Sequence, residues 1–417
     1  MRHEARDKRQ EAGKILYLTA YIWFLSCFLL LASCFYSEAR AQDICISCHK
    51  EMEEERLKLP TVEWEASIHK IEKVRCHNCH GGDPESGHGV GFMGKPARKD
   101  IPKFCGRCHI RQLNNYQKSK HEKLLSERKE EGGATCVDCH GYHKIKGVKD
   151  TESPVYYLNV PETCSRCHSD SVRMKQFKIP TNQLELYKEG KHGLALYGRM
   201  PEVRKTSAPN CAVCHGHHDP MISAHQDIPR ICGKCHPSTF DNFKKSLHFD
   251  ALKKSGDPSC AYCHGNHKVI KPAGEIFSNF KKGECGECHD QSSKEFKVGL
   301  NIKKIIKEID DLRNEAIGSI EEVKNYGRNT GDLEQLYNEL NGNILMIAPV
   351  THSLDLDKIN EYVNKITKTS QEVKGKVEEF KKEISRRYMV YAVSMIMIFT
   401  AVIILSMQLY IYKRTEK

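Results

Sequence analysis

Nine copies of the pentapeptide Cys-x-x-Cys-His constrain this chain more than any other feature of its sequence. They use 18 of the 20 cysteines, and the other two, Cys27 and Cys34, lie in an apolar N-terminal segment. A disulfide scaffold does not require His after every second Cys, and neither does structural zinc, the alternative ligand of paired Cys-x-x-Cys motifs. The motifs begin at Cys45, Cys76, Cys105, Cys136, Cys164, Cys211, Cys232, Cys260 and Cys285.

This pentapeptide is the attachment signature of c-type haem, in which two thiols bond to the haem and the adjacent imidazole ligates the iron. The sequence therefore predicts nine covalently bound haem c groups. The predicted covalent attachment residues are Cys45, Cys48, Cys76, Cys79, Cys105, Cys108, Cys136, Cys139, Cys164, Cys167, Cys211, Cys214, Cys232, Cys235, Cys260, Cys263, Cys285 and Cys288. The predicted proximal iron ligands are His49, His80, His109, His140, His168, His215, His236, His264 and His289.

A second set of histidines recurs between the motifs and is predicted to supply the opposite, distal side of the irons. Short segments with an aromatic residue five positions before a histidine end at His69, His121, His192 and His248. A ring five residues away lies a turn and a half along a helix, so the two side chains need not share a face. The recurrence in register, rather than that geometry, is what favours ligation over four unrelated surface histidines.

Three motifs continue as Cys-His-Gly-x-His, which adds His143, His218 and His267 as predicted distal ligands. The chain has moved only three residues from the proximal ligand, so each of these histidines is expected to reach a neighbouring haem rather than its own. In the first unit the corresponding residue is His88, eight positions after His80. His352, in the helical region, would bring the number of distal ligands to nine.

Four other histidines receive no ligand role. His77 lies inside a motif as a filler residue, and His217 is expected to form a hydrogen bond beside His218. His225 falls in a connecting loop, where a solvated residue is favoured over a spare ligand, and His3 precedes the apolar N-terminal segment.

Length and charge indicate that porphyrin replaces much of the protein core. The motifs lie within residues 45–289, about 27 residues per haem, and so short a segment rich in Lys, Glu and Gly buries little core of its own. The formal charge of +11 would suggest an acidic partner, but propionates of nine haems would take the sum to about −7. Nucleic-acid binding has no other support. We expect short helices and loops wrapped around stacked haems.

The motifs form a repeat of two haems per unit. The leading motifs are spaced 60, 59, 68 and 53 residues apart, at Cys45, Cys105, Cys164, Cys232 and Cys285. Repeats that cannot bury their own apolar faces usually stack in a line. The sequence thus predicts a nonahaem cytochrome c domain over residues 42–292.

The N-terminal residues 1–41 are predicted to be an export signal. A basic start and an uncharged run from Ile15 to Ser37 precede Ala39-Arg-Ala41, a signal-peptidase pattern. Because the apolar run is long, an uncleaved N-terminal anchor is the alternative, and Leu31-Ala-Ser-Cys34 also resembles a lipoprotein box. All three interpretations send the cysteine-rich part across a membrane.

The C-terminal part carries a different pattern. Residues 293–387 lack cysteine and show apolar residues at helical spacing, which predicts a small antiparallel helical region. Residues 388–412 then carry no charge and are long enough to span a bilayer, with tyrosines near both ends. Residues 413–417 form the predicted cytoplasmic tail. The predicted fold class is mainly α with extensive loops.

The motifs over about residues 43–290 resemble the multihaem cytochrome c superfamily that contains quinol-oxidising cytochromes of nitrate and nitrite respiration, pentahaem nitrite reductases and octahaem hydroxylamine oxidoreductases. That resemblance implies haem attachment on the exported, periplasmic side of a bacterial inner membrane, and a helix-region histidine such as His352 as a distal ligand. The nitrite reductases carry Cys-x-x-Cys-Lys at the catalytic haem, which this chain lacks. The quinol-oxidising relatives usually carry an N-terminal anchor.

Two functions are therefore expected. The first is a membrane-anchored electron relay in anaerobic respiration, between the quinone pool or a membrane partner, quinol-oxidising or of cytochrome b type, and periplasmic or outer redox partners. It is favoured because nine distal histidines would leave no iron open to a substrate. The alternative is an oxidoreductase that acts on a small nitrogen or sulfur compound, such as nitrite, hydroxylamine or tetrathionate, at one open haem.

Overall fold

The structure is a computed structural model that describes residues 43–128, 133–200, 204–218, 227–272, 274–325 and 331–415, together with Trp23 and Ser26. Apart from those two positions, the predicted export signal, the alternative anchor and the lipoprotein box lie outside the described residues. The same holds for His3 and His225. The fold over the described ranges is mainly helical, which confirms the predicted helical class.

The chain divides into two compact units. The first comprises the described residues up to Thr163 together with His218, and the second comprises Cys164–His217 and the described residues from 227 onwards. In the first unit an isolated β-bridge joins Asp83 and Gly87. Its helices are α1 (Ile44–Glu51), α2 (Glu55–Glu65), α3 (Ile68–Ile71), α4 (Cys76–His80), α5 (Ile101–Gly106), α6 (Ile110–Tyr116), α7 (Lys120–Arg128) and α8 (Cys136–His140), with a 3-10 turn at Arg98–Asp100.

Helix α9 (Val160–His168) follows, and the second unit continues with short helices and then three long ones. The short helices are α10 (Ser171–Lys175), α11 (Gln183–Glu189), α12 (Lys191–Leu196), α13 (Cys211–His215), α14 (Ile228–Gly233), α15 (Pro237–Phe243), α16 (Leu247–Ser255), α17 (Cys260–His264) and α18 (Cys285–Cys288). Two 3-10 turns lie at Lys205–Ser207 and Gly274–Phe277. The long helices are α19 (Lys294–Asn325), α20 (Gly331–Thr351) and α21 (Leu356–Thr415).

The three long helices form a bundle whose core is the set of apolar stripes seen in the sequence. Each stripe recurs every three or four residues and so lies on one helix face. Ion pairs Lys374–Glu315 and Lys381–Glu322 link α21 to α19 at equal steps of seven residues, so these two helices run parallel. The fully buried core residues include Ile302, Ala316, Val323, Leu333, Leu340, Ile359, Ile366 and Val373.

The last helix continues without a break through the predicted boundary at 387/388. The predicted boundary between the helical region and the membrane segment is therefore a change in side-chain polarity within one continuous helix. The backbone does not change there, because apolar and charged residues alike favour helix. The apolar part is long enough to cross a membrane, and its most apolar window has a mean hydropathy of 2.4 and no buried residue. The helix also extends into the predicted tail, as far as Thr415.

Candidate functional site

Four of the nine motifs form single helical turns that run from their first cysteine to their histidine. These are α4, α8, α13 and α17, whose N-cap residues are Arg75, Thr135, Asn210 and Ser259. A helical turn brings residues at i, i+3 and i+4 to one face, so it presents both thiols and the imidazole together. Each turn ends at a glycine with positive φ, for example +85° at Gly141, a conformation that other residues rarely adopt. The glycine of Cys-His-Gly thus turns the chain sharply away after the proximal histidine.

The structure brings the predicted proximal and distal histidines together in pairs. Each of eight pairs joins one motif histidine to one predicted distal histidine, with ring centres 5.8–6.4 Å apart. In the first unit the pairs are His49–His88, His109–His69, His80–His143 and His140–His218. In the second unit they are His236–His192, His215–His267, His289–His248 and His264–His352.

The separation within each pair fits one metal ion between two imidazoles. A metal–nitrogen bond to histidine is about 2.0 Å, and the ring centre lies about 1.1 Å beyond the nitrogen, so ligands on opposite sides of one metal have ring centres about 6.2 Å apart. The eight observed separations bracket this value. Ring stacking alone would allow about 4.5–7 Å, but it would not select one motif and one non-motif histidine each time. The residues present therefore fit a bis-histidine iron.

The pairing follows a regular order along the chain. Three distal histidines that lie between the two motifs of a repeat unit face the histidine of the motif that follows that unit: His69 faces the third motif, His192 the seventh and His248 the ninth. Each histidine of a Cys-His-Gly-x-His sequence faces the proximal histidine two motifs earlier, so His143 lies beside His80 rather than beside His140. His264, the histidine of the eighth motif, is paired in the same way with His352, which lies outside the cysteine-rich part.

The first and fifth motifs differ from the rest. His88 meets His49 with the largest angle between rings, 60°, and also stacks on Phe92 at 4.2 Å. His168, the proximal histidine of the fifth motif, and His121, the remaining distal candidate, both have interaction partners. Among the histidines without a predicted ligand role, His77 contacts the amide of Asn78 at 3.2 Å, and His217 also has a partner.

Several paired histidines have their Nδ1 atom engaged by the backbone. His49 Nδ1 lies 3.0 Å from the Leu57 carbonyl, and His80 Nδ1 lies 2.8 Å from that of Gly94. The same contact joins His264 to Ile270 at 3.1 Å and His352 to Ala348 at 2.7 Å. Metal-bound histidines almost always donate their other ring N–H in this way, because the bond fixes the tautomer and the ring orientation. These contacts leave Nε2 as the atom that would bind a metal.

Burial favours the neutral form of the paired rings. It lowers the pKa of both rings of the His215–His267 pair, and a neighbouring histidine adds to the shift. Neutral imidazole is the form that binds metal, so a lowered pKa keeps these residues ready to ligate at neutral pH. Burial likewise lowers the pKa of His69, His140, His143, His168, His192, His248 and His352.

Thiols of consecutive motifs lie next to each other within each unit. First cysteines from two consecutive motifs interact with each other: Cys105 with Cys136, Cys164 with Cys211, and Cys232 with Cys260. Second cysteines interact electrostatically with the following motif: Cys79 with Cys105 and Cys108, Cys214 with Cys232 and Cys235, and Cys263 with Cys285 and Cys288. Groups bonded to these thiols are therefore held side by side in chain order.

Three of the four aromatic residues that precede distal histidines by five positions have a structural role that spacing alone did not reveal. The Trp64 Nε1–H donates to the Val74 carbonyl at 2.9 Å, and the hydroxyls of Tyr116 and Tyr187 donate to the Ala134 and Pro209 carbonyls at 2.8 and 2.9 Å. Each acceptor lies two residues before the first cysteine of the next motif. The ring thus ties one distal-histidine segment to one attachment turn. The recurrence of an aromatic residue at this position was the signal in the sequence from which this role could have been predicted.

A structural zinc site normally takes four protein ligands. Within the described ranges, no cluster of three or more His, Cys, Asp and Glu side chains is arranged to hold a metal ion. The geometry found instead is that of two imidazoles facing each other beside a pair of thiols, which suits a metal whose other ligands come from a macrocycle.

Comparisons with known proteins add no family to this description, because no protein-family model and no curated protein matches the chain. The resemblance to multihaem cytochromes therefore rests on the motifs themselves. Function is accordingly inferred from the histidine pairs, the adjacent thiols and the long apolar helix.

Proposed function

We propose that the protein is a membrane-anchored nonahaem cytochrome c that relays electrons between the quinone pool, through a membrane partner, and periplasmic or outer acceptors. The observation that carries this proposal is the set of eight histidine pairs, each with room for one metal between a motif imidazole and a distal imidazole. The 18 motif cysteines would hold the haems covalently, and one-electron exchange at iron is the chemistry that bound haem would supply.

A relay is favoured over catalysis because the two histidines of each pair would ligate the iron from both sides. A substrate needs an open iron position, and bis-histidine ligation leaves none. The adjacent thiols support transfer between neighbours, because they would hold consecutive haems close together within each unit. In the His264–His352 site, hydrogen bonds to backbone carbonyls hold both rings in position, so little reorganisation would accompany a change of charge there.

The length of the last helix favours electron exchange through a membrane partner over direct contact between the eighth haem and quinol. His352 stands just before α21, and the predicted membrane segment begins at Tyr388, 32 residues after Leu356. At 1.5 Å per residue, about 48 Å of helix separates this haem site from the predicted membrane segment. An electron from the bilayer would reach this site through another redox group. We place the haem region on the exported side of the membrane.

Electron paramagnetic resonance of the oxidised, full-length protein tests the relay. We expect nine covalent haems by pyridine haemochrome assay, low-spin signals from all of them, and no response to cyanide or nitrite. A high-spin haem that binds either ligand would instead support the oxidoreductase on a small nitrogen or sulfur compound. Absence of covalent haem would refute both functions.

A further inference from the structure

The contact at the Nδ1 atom of one predicted axial histidine differs in kind from the contacts at four others. The Nδ1 atoms of His49, His80, His264 and His352 lie against backbone carbonyls. His143 Nδ1 instead lies 3.5 Å from the Oε2 atom of Glu63, in the last turn of α2. A carboxylate is a stronger hydrogen-bond acceptor than a carbonyl and carries a full negative charge.

The His80–His143 pair has a close internal counterpart in the His264–His352 pair. The ring centres are 6.0 Å apart in the former and 5.9 Å in the latter. In both pairs the proximal Nδ1 lies against a carbonyl. The distal Nδ1 meets a carbonyl at His352 and a carboxylate at His143. The two sites thus differ in the contact at the distal Nδ1 atom.

We propose that Glu63 is a positioning residue that lowers the reduction potential of the haem held between His80 and His143. The inference rests on the proposed function, since it requires a haem at that pair. A carboxylate partner raises the basicity of a metal-bound imidazole. A more basic imidazole and a nearby negative charge both favour Fe(III) over Fe(II), because one-electron reduction removes a positive charge from the site.

The internal repeat shows which residue takes the place of Glu63 elsewhere. The backbone N–H of Ile68 donates to Ile145 O, and that of Lys191 donates to Val269 O, each at 2.8 Å. These bonds put the segments around His69 and His143 in the same register as those around His192 and His267. In that register Leu186 corresponds to Glu63. The carboxylate is therefore a feature of the first two-motif repeat, and the corresponding position in the third repeat is Leu186.

Redox titration of the purified full-length protein, followed by electron paramagnetic resonance, tests the inference with four variants. Glu63→Gln keeps the shape of the side chain, and Glu63→Leu introduces the residue found at the corresponding position, Leu186, in the third two-motif repeat. Leu186→Glu brings a carboxylate to the corresponding position near His267. Glu65→Gln is the matched control, since Glu65 lies on the same helix but pairs with Lys50.

In both Glu63 variants we expect one midpoint potential to rise, with about a tenfold shift of the equilibrium toward Fe(II), or about 59 mV for one electron. The g-values of one low-spin haem should change as well. Leu186→Glu should lower one potential, and Glu65→Gln should leave all of them in place. Nine low-spin haems with unaltered potentials in both Glu63 variants would overturn the role of Glu63 and leave the relay intact. An equal rise of one midpoint potential in Glu65→Gln would also overturn it. The effect would then come from the loss of a negative charge on the helix and not from the contact with His143.

Discussion

The cysteine-rich part and the helical bundle achieve stability in opposite ways. Between residues 43 and 293, nine apolar side chains of the described residues are buried, whereas the much shorter stretch from 294 to 387 contains fifteen. The bundle buries Ile, Leu and Val along three long helices. The buried polar residues of the cysteine-rich part include helix caps such as Ser67 and Ser246. The difference shows that the bundle has a core of its own side chains, and it supports the proposal that haem supplies the core of the cysteine-rich part.

The largest expected effect comes from preventing haem attachment. If the chain is produced where c-type haem is not attached, the cysteine-rich part should lose its compact fold, because its few buried apolar residues cannot offset the entropy of ordering about 250 residues. The bundle should remain helical. Limited proteolysis should then leave a fragment that begins near Lys294, and the holoprotein provides the control. A protease-resistant cysteine-rich part without haem would break the comparison.

The next effect tests the bundle core. Leu340 is fully buried in α20, and Leu340→Ala should lower the free energy of unfolding of the bundle by about 2–5 kcal/mol, since it removes apolar contacts and leaves a cavity. Leu345→Ala on the same helix is the control, because Leu345 is 64% exposed and should change stability by less than about 0.5 kcal/mol. Denaturant unfolding followed by circular dichroism measures both. The haem spectrum should not change in either variant.

His352 is the residue at which the two regions meet, so its replacement tests the comparison differently. His352→Ala should convert one low-spin haem to a high-spin, cyanide-binding haem, because its ring is the one paired with His264. The bundle should keep its stability, since His352 follows α20 and lies outside the apolar stripes. His77→Ala is the control and should leave nine low-spin signals. If His352→Ala did so too, the bundle would have no ligand role.

The sequence predicted the parts of the site better than their connections. The short gap between His140 and His143 already required His143 to leave its own haem, but it could not name His80, which lies two motifs earlier along the chain. That pairing is accompanied by a hydrogen bond between Ile68 N–H and Ile145 O, two residues far apart along the chain, and no local pattern encodes such a contact. The apolar stripes predicted the bundle core because helical periodicity is local. The continuity of α21 across 387/388 was missed because composition changes there while helix propensity does not.

The smallest expected effect concerns the hydrogen bonds from the aromatic residues. Tyr187→Phe removes the hydrogen bond to Pro209 O and should lower the free energy of unfolding of the second compact unit by about 1 kcal/mol. The loss is small because the ring still packs and only the donor to the carbonyl is missing. Phe243 holds the equivalent place in the fourth two-motif repeat and has no hydroxyl. The hydrogen bond therefore refines the position of an attachment turn and is not required for the turn to form. Thermal unfolding of the holoprotein measures the loss, with Tyr142→Phe, an exposed tyrosine, as the control. A loss of several kcal/mol would mean that this ring, and not haem, organises the cysteine-rich part.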